Sequence, residues 1–116
     1  KKNISVNGSK VLILGITFKE NCPDVRNTKA VDVISALKDY GTNITIHDPW
    51  ANKKDVKIEY GLNSLKSLPS DKFDAIVLTV SHNKFKELDI ISLKNENAIV
   101  YDIKNFLDNS LVDGNL

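Results

Sequence analysis

Apolar residues in this chain fall into compact runs separated by polar stretches carrying proline, glycine or charge. Residues 10–16 (KVLILGI) form a continuous β-branched and leucine run too short for a helix, which predicts a central parallel strand buried on both faces. Residues 73–80 (FDAIVLTV) form a second such run, and 98–101 (AIVY) a last short strand. Residues 43–47 (NITIH) alternate as a strand does, and Asp48-Pro49 ends them because proline removes a donor and restricts the residue before it. Between the first two strands, Asn27 or Thr28 can cap a helix reaching about Tyr40, with Val31, Ile34 and Leu37 on one stripe and Gly41 as its stop. Leu62, Leu65 and Leu68 lie at helical spacing before Pro69, so residues 61–68 read as a short surface helix; residues 83–93 are weakly helical. Three or four strands alternating with helices predict an α/β fold: a three-layer, Rossmann-like domain with a mostly parallel sheet, helices on both faces and ligands at the strands' carboxyl ends.

Length and charge narrow the function. A chain of 116 residues makes one domain with one core. Sixteen Lys plus Arg against fifteen Asp plus Glu leave a net charge of +1, so no global field argues for nucleic acid or an anionic membrane, and any anion site must be local. The single cysteine, Cys22, excludes an internal disulfide framework and a multi-cysteine metal site, and fits a reducing cytoplasm. No apolar run approaches the roughly 18 residues of a membrane span, and the amino end, KKNISVNGSK, lacks the apolar stretch of a signal peptide. Polar residues lead directly into a strong strand and methionine is absent, as expected of a piece of a longer chain, though a processed small protein also fits.

The loop after the first strand holds the most chemistry. In residues 14–26 (LGITFKENCPDVR), Gly15 stands alone, and neither G-x-G-x-x-G nor G-x-x-x-x-G-K is present, so any phosphate contact must come from side chains. Lys19 lies three residues past the first strand's end and Arg26 just ahead of a helix N-terminus, whose unpaired N–H groups favour an anion, so both can project over the carboxyl edge of the sheet. A lysine ammonium is a point charge with three donors, whereas an arginine fork holds two phosphate oxygens, and Asp24 can orient either cation. The same pattern also describes a solvated loop with a surface ion pair. Cys22 has no histidine near it in sequence and precedes Pro23, which favours an inert thiol over a nucleophile.

His47-Asp48 and Ser81-His82 each end a strand at the carboxyl edge. A Ser/His/Asp constellation is geometrically conceivable there, but no G-x-S-x-G occurs and loop or capping roles are the commoner ones. Two histidines without H-x-x-x-H spacing carry no metal signal. Trp50 can stack on a base or pack against the core or a partner domain. Lys104, in YDIK, puts another cation on the rim that carries Lys19, or is simply an exposed lysine.

Four stretches together resemble the carboxyl-terminal, UDP-binding domain of the UDP-glucose/GDP-mannose dehydrogenases: LGITFKENCPDVRNTKAVDVI, HDPW, AIVLTVSHNKF and VYDIKN. The wording of the first, with HDPW, is most similar to the branch acting on UDP-N-acetylhexosamines for Vi-type, capsule or O-antigen uronic acids. The resemblance implies a cytoplasmic enzyme that oxidises the C6 alcohol of a sugar nucleotide to a carboxylate with two NAD, through a thiohemiacetal and a thioester on a cysteine. That cysteine belongs to a glycine-rich motif, G-F-G-G-S-C, absent here, so this chain carries no catalytic group and is expected to be inactive alone. NAD is then held mainly by an amino-terminal domain outside this sequence, with a central helical domain also missing and the complete protein a homodimer or larger. The implied division is 1–9 as a linker from upstream, 10–108 as the UDP-sugar-binding domain and 109–116 as a tail.

Carried over by position, the resemblance implies that Phe18 and Lys19 contact the UDP-sugar and that Arg26 reaches the NAD. Lys104 takes the place where relatives often carry Arg in D-G-R, which the resemblance implies is a substrate-binding position reaching the substrate of a neighbouring subunit or site; lysine keeps the charge but loses the bidentate fork. The rival is a free-standing flavodoxin-like or receiver-like module without catalysis. A receiver needs an acidic cluster after its first strand and an aspartate after its third, where this chain has Gly15-Ile16-Thr17 and Ser81-His82.

Overall fold

The computed structural model describes residues 8–26, 28–104, 106–107 and 109–115. Its frame is a parallel sheet. Strand β1 (Lys10–Leu14) lies between β2 (Asn43–His47) and β4 (Phe73–Leu78); β3 (Ser64–Leu65) flanks β2, and β5 (Lys94–Asp102) and β6 (Gly114–Asn115) extend the other side. Every recorded pair is parallel, with Leu14 opposite both His47 and Leu78. The expected parallel α/β fold is therefore the observed one, with two short edge strands beyond the three or four expected.

The apolar runs fill both faces because successive side chains of a strand point to opposite sides. Val11 and Ile13 join one core cluster with Val77 of β4, Ile34 of helix α1 (Ala30–Asp39) and Val56 of helix α2 (Lys53–Tyr60). Leu12 and Leu14 join the other, with Ile76, Leu78, Phe85, Ile90, Leu93 and Val100. That second face is covered by short 3-10 turns at Asn83–Glu87, Ile91–Leu93 and Asn109–Leu111, in place of the weak helix expected over 83–93.

The surface helix expected over 61–68 is not there. The Lys-rich stretch before it forms α2: the Asn52 side chain accepts from the N–H groups of Lys54 and Asp55, and Gly61 stops the helix in the left-handed conformation at φ 68°. Leu65 lies instead in β3, opposite His47. In α1, Ile34 is buried and Val31 and Leu37 are partly buried on the expected stripe. Of its two expected caps, Asn27 lies outside the described residues, and Thr28 stands one residue ahead of the observed N-cap, Lys29, which makes no side-chain cap bond; Thr28 Oγ1 accepts from the Ala30 N–H at 3.2 Å.

The order β3-β2-β1-β4-β5-β6 fixes where a ligand can enter. The chain winds outward from β1 in one direction and then from β4 in the other, so the loops leaving these neighbouring strands diverge and open a crevice at their carboxyl ends.

Candidate functional site

The crevice is built on a tight junction between β1 and β4. Gly15 leaves β1 at φ 104°, and a Cβ there would lie 2.5 Å from Val80 Cβ and 2.9 Å from Val80 N. The N–H groups of Thr79 and Val80 donate back to the Leu14 carbonyl at 3.0 and 3.3 Å, and the Gly15 N–H donates to the His47 carbonyl at 3.0 Å. A glycine is required because both the dihedral and the space exclude a side chain.

Asp48, fully buried just past β2, organises the loops above this junction. Its Oδ2 accepts from the N–H groups of Ile16 (2.7 Å) and Thr17 (3.2 Å), and its Oδ1 from those of Trp50 (2.8 Å) and Ala51 (3.1 Å). His82, also fully buried, completes the set with Nε2 3.0 Å from Asp48 Oδ2. Burial works to raise the Asp48 pKa, but the His82 hydrogen bond and the backbone N–H groups of Ile16 and Trp50 outweigh it and hold the carboxyl below its ordinary value.

Both His82 nitrogens are engaged. Nδ1 accepts from the Asn21 N–H at 2.8 Å, and Nε2 also lies 3.1 Å from Thr17 Oγ1. A serine-activating base needs a free imidazole nitrogen facing the hydroxyl, and this imidazole has none. The pair acts as a loop staple, the capping role expected above. Trp50, 38% exposed, sits with its ring centroid 6.3 Å from that of His82.

A second carboxylate shapes the next loop. Asp102, buried at the end of β5, accepts from the N–H groups of Lys104 (3.0 Å), Phe106 (2.6 Å) and Leu107 (2.6 Å), while the Ile103 N–H donates to the Leu78 carbonyl. The turn is thereby held at the same edge and delivers Lys104 to it.

A cleft of about 170 Å³ opens at the switch point. It is lined by Thr17 and Phe18 from the first loop, Thr28, Lys29 and Ala30 at the start of α1, Thr79 and Val80 after β4, and Lys104. Two of the four candidate residues, Phe18 and Lys104, thus share one wall system with a helix N-terminus. Lys19 stands exposed on the adjoining turn, where its carbonyl accepts from Thr17 Oγ1 at 2.9 Å. Lys29, Thr28 and Thr79 were not singled out as ligand contacts from the sequence. Lys29 immediately precedes the helix, which was the available signal.

Arg26 lies apart from this cleft. It lines a groove of about 230 Å³ with Asp55, Ile58 and Glu59, and its guanidinium donates through Nε and Nη2 to the two Asp24 oxygens, each at 3.1 Å. Asp24 therefore orients Arg26 rather than Lys19. That side-chain bond holds the Asp24 carboxyl below its ordinary pKa and raises that of Arg26. Cys22 is a partly exposed free thiol. Among the described residues, no group of three His, Cys, Asp or Glu could hold a metal, and no helix is long and apolar enough to cross a membrane.

Comparison with known proteins agrees with this geometry. Residues 12–109 match the UDP-glucose/GDP-mannose dehydrogenase family, UDP binding domain. The chain is 44% identical over 107 residues to UDP-N-acetyl-D-glucosamine 6-dehydrogenase of Salmonella typhi, covering 90% of this chain and 25% of that protein. It is 39% identical over 116 residues to the enzyme of the same name from Pseudomonas aeruginosa, covering 97% and 28%. A solved UDP-D-ManNAc dehydrogenase from Pyrococcus horikoshii shares the fold, with a TM-score of 0.73 at 19% identity over 97% of this chain and 26% of that one. The chain thus spans about a quarter of the length of the curated relatives it matches. A match over residues 12–109 and 44% identity across 90% of the chain, on the parallel sheet described above, establish that the chain belongs to the UDP-glucose/GDP-mannose dehydrogenase family, as its UDP-binding domain.

Proposed function

We propose that this domain holds the nucleotide of a UDP-sugar, of the UDP-N-acetylhexosamine class, in an NAD-dependent 6-dehydrogenase that converts a C6 alcohol to a carboxylate. The observation that carries the proposal is the family match over residues 12–109, together with a cleft at the topological switch point walled by Phe18, Lys29 and Lys104. At about 170 Å³ the cleft is smaller than the roughly 300–1,000 Å³ of a complete small-molecule site. It suits a phosphate and part of its neighbour, with other parts of the protein enclosing the rest. Lys19 and Lys104 supply charge to the diphosphate, and Phe18, 55% exposed, supplies an apolar face.

NAD belongs mainly to an upstream domain, and when bound it accepts the hydride removed from C6. What this chain offers toward it is Arg26, whose side chain is 74% exposed and already oriented by Asp24, a fit for a phosphate oxygen across a domain boundary. Placement in the cytoplasm, assembly as a homodimer or larger, and a role in bacterial surface polysaccharide follow from the same proposal.

The test is NADH formation by the full-length protein with a panel of UDP- and GDP-sugars. Two NADH per UDP-N-acetylhexosamine are expected, with Lys19→Ala lowering kcat/KM by an amount equivalent to about 1–3 kcal/mol, as for a lost charged hydrogen bond. No NADH with any sugar nucleotide, from folded protein that binds NAD, would overturn it.

A further inference from the structure

One imidazole holds both ends of the segment that carries Phe18 and Lys19. Thr17, before it, is tied through its hydroxyl to His82 Nε2 and through its N–H to Asp48, which His82 also contacts. Asn21, after it, donates its N–H to His82 Nδ1. The stitch is doubled because the Asn21 side-chain oxygen accepts from the Asn83 N–H at 2.9 Å. Asn21 sits at φ 55°, an uncommon conformation that persists only where its surroundings enforce it. Residues 18–20 arch between the two anchors.

The donor pattern fixes the form of the ring. A backbone N–H at Nδ1 requires that nitrogen to be a bare acceptor, so the proton is on Nε2, facing Asp48 Oδ2, while the Thr17 hydroxyl donates to the Lys19 carbonyl. A doubly protonated ring would lose the Asn21 bond. Leucine in its place would leave the Asn21 N–H, the Asp48 oxygen and the Thr17 hydroxyl each short of a partner.

We propose that His82 is a positioning residue for the nucleotide: as a neutral, Nε2-protonated imidazole it spans the Phe18–Lys19 arch and sets where the Lys19 ammonium and the Phe18 ring meet the UDP. The inference rests on the UDP contact proposed above and adds a residue that touches no ligand itself. It predicts an effect on UDP binding that is absent from NAD binding, which loss of general stability would not produce.

The full-length protein carries the test, as wild type, Lys19→Ala, His82→Leu, His82→Gln and the Lys19→Ala/His82→Leu double variant. The primary readout is UDP affinity by direct titration, which needs no turnover, with NAD affinity as the control. In the wild type, 15N spectra of the ring should show a bare Nδ1 and a protonated Nε2. His82→Leu should weaken UDP on the order of tenfold to a hundredfold, as for a contact displaced by about 1 Å, and leave NAD nearly unchanged. His82→Gln, whose amide both donates and accepts, should recover most of the loss. In the Lys19→Ala background the His82→Leu effect should shrink sharply. A ring protonated on Nδ1, equal losses for UDP and NAD, or an undiminished effect without Lys19 would each overturn the proposal. Should His82→Leu not fold, the ring spectrum and His82→Gln decide it: a ring protonated on Nδ1, or UDP and NAD weakened equally in His82→Gln, overturns the proposal. A Lys19→Ala variant binding UDP like wild type would instead overturn the Lys19 contact, on which the positioning role depends.

Discussion

Gly15 is where a single residue does most for the site. Its φ of 104° and the Val80 side chain 2.5 Å from a virtual Cβ penalise any substitution twice, through backbone strain and through overpacking. Gly15→Ala is expected to cost roughly 2–5 kcal/mol in urea unfolding, and Val80→Gly, which removes the Cβ at 2.5 Å, should recover only part of it because the Val80 N at 2.9 Å and the backbone strain remain. A loss under about 1 kcal/mol would mean that the two loops separate easily. At this scale the sequence was readable where chemistry is local. The spacing offered Asp24 to either Lys19 or Arg26, and the structure pairs it with Arg26; Lys104, expected on the carboxyl rim, lines one cleft with Phe18. The direct Asp48–His82 contact did not follow from spacing. Those residues are 34 positions apart and follow β2 and β4, which flank β1 on its two sides, so that their carboxyl-end loops converge over it. Spacing puts both residues at the carboxyl edge, but the strand order that brings the two side chains together is set by the sheet and not by a local pattern.

The elements divide the same way. β1 and β4 were legible because strands buried on both faces are apolar throughout. The helix α1 was legible because one stripe faces the core. The region 53–68 misleads because α2 fully buries only Val56, leaves Ile58 exposed and is otherwise mainly charged up to the partly buried Tyr60, while Leu62, Leu65 and Leu68 imitate a helical face across a β-edge and its turns. Asn52 and Gly61 were the true boundary signals. With so little buried surface, α2 depends on its cap: Asn52→Ala removes the acceptor for Lys54 and Asp55 and should cost about 1 kcal/mol. Hydrogen exchange should quicken across residues 53–60 more than in α1; an unchanged rate would show that tertiary packing holds the helix. The polar start of β5 escaped notice for a related reason. Lys94 pairs with Phe73, but the register shifts before Ala75 and Asn97 takes φ 66°, so a bulge there carries residues that lack strand character.

For the whole molecule, the buried groups at the carboxyl edge should make stability fall with acid. Burial lowers the His47 pKa, only partly offset by the bond to the Leu65 carbonyl and by Asp48. The unfolded chain then binds more protons than the folded one below an imidazole's ordinary value of about 6.5, so this contribution is complete above that pH and declines as pH falls toward the lowered value. The Asp48 carboxyl, also lowered, adds stability that is present above its unfolded value and is lost at more acid pH still. Tm should therefore drop between pH 7.5 and 5.5, and His47→Gln should flatten that limb. Equal Tm values at both would contradict the burial of a neutral His47.

On the function proposed here, UDP binds at the switch point, between the loops after β1 and β4 and beside the start of α1. The most direct measurement is a titration of the 15N-labelled chain with UDP, following backbone amides. Shifts should concentrate at Thr17, Phe18, Lys19, Lys29, Thr79 and Lys104, and weaken in Lys19→Ala. Shifts gathered instead at the groove beside Asp55 and Glu59, or among Phe85, Leu88 and Phe106 on the far face, would contradict it.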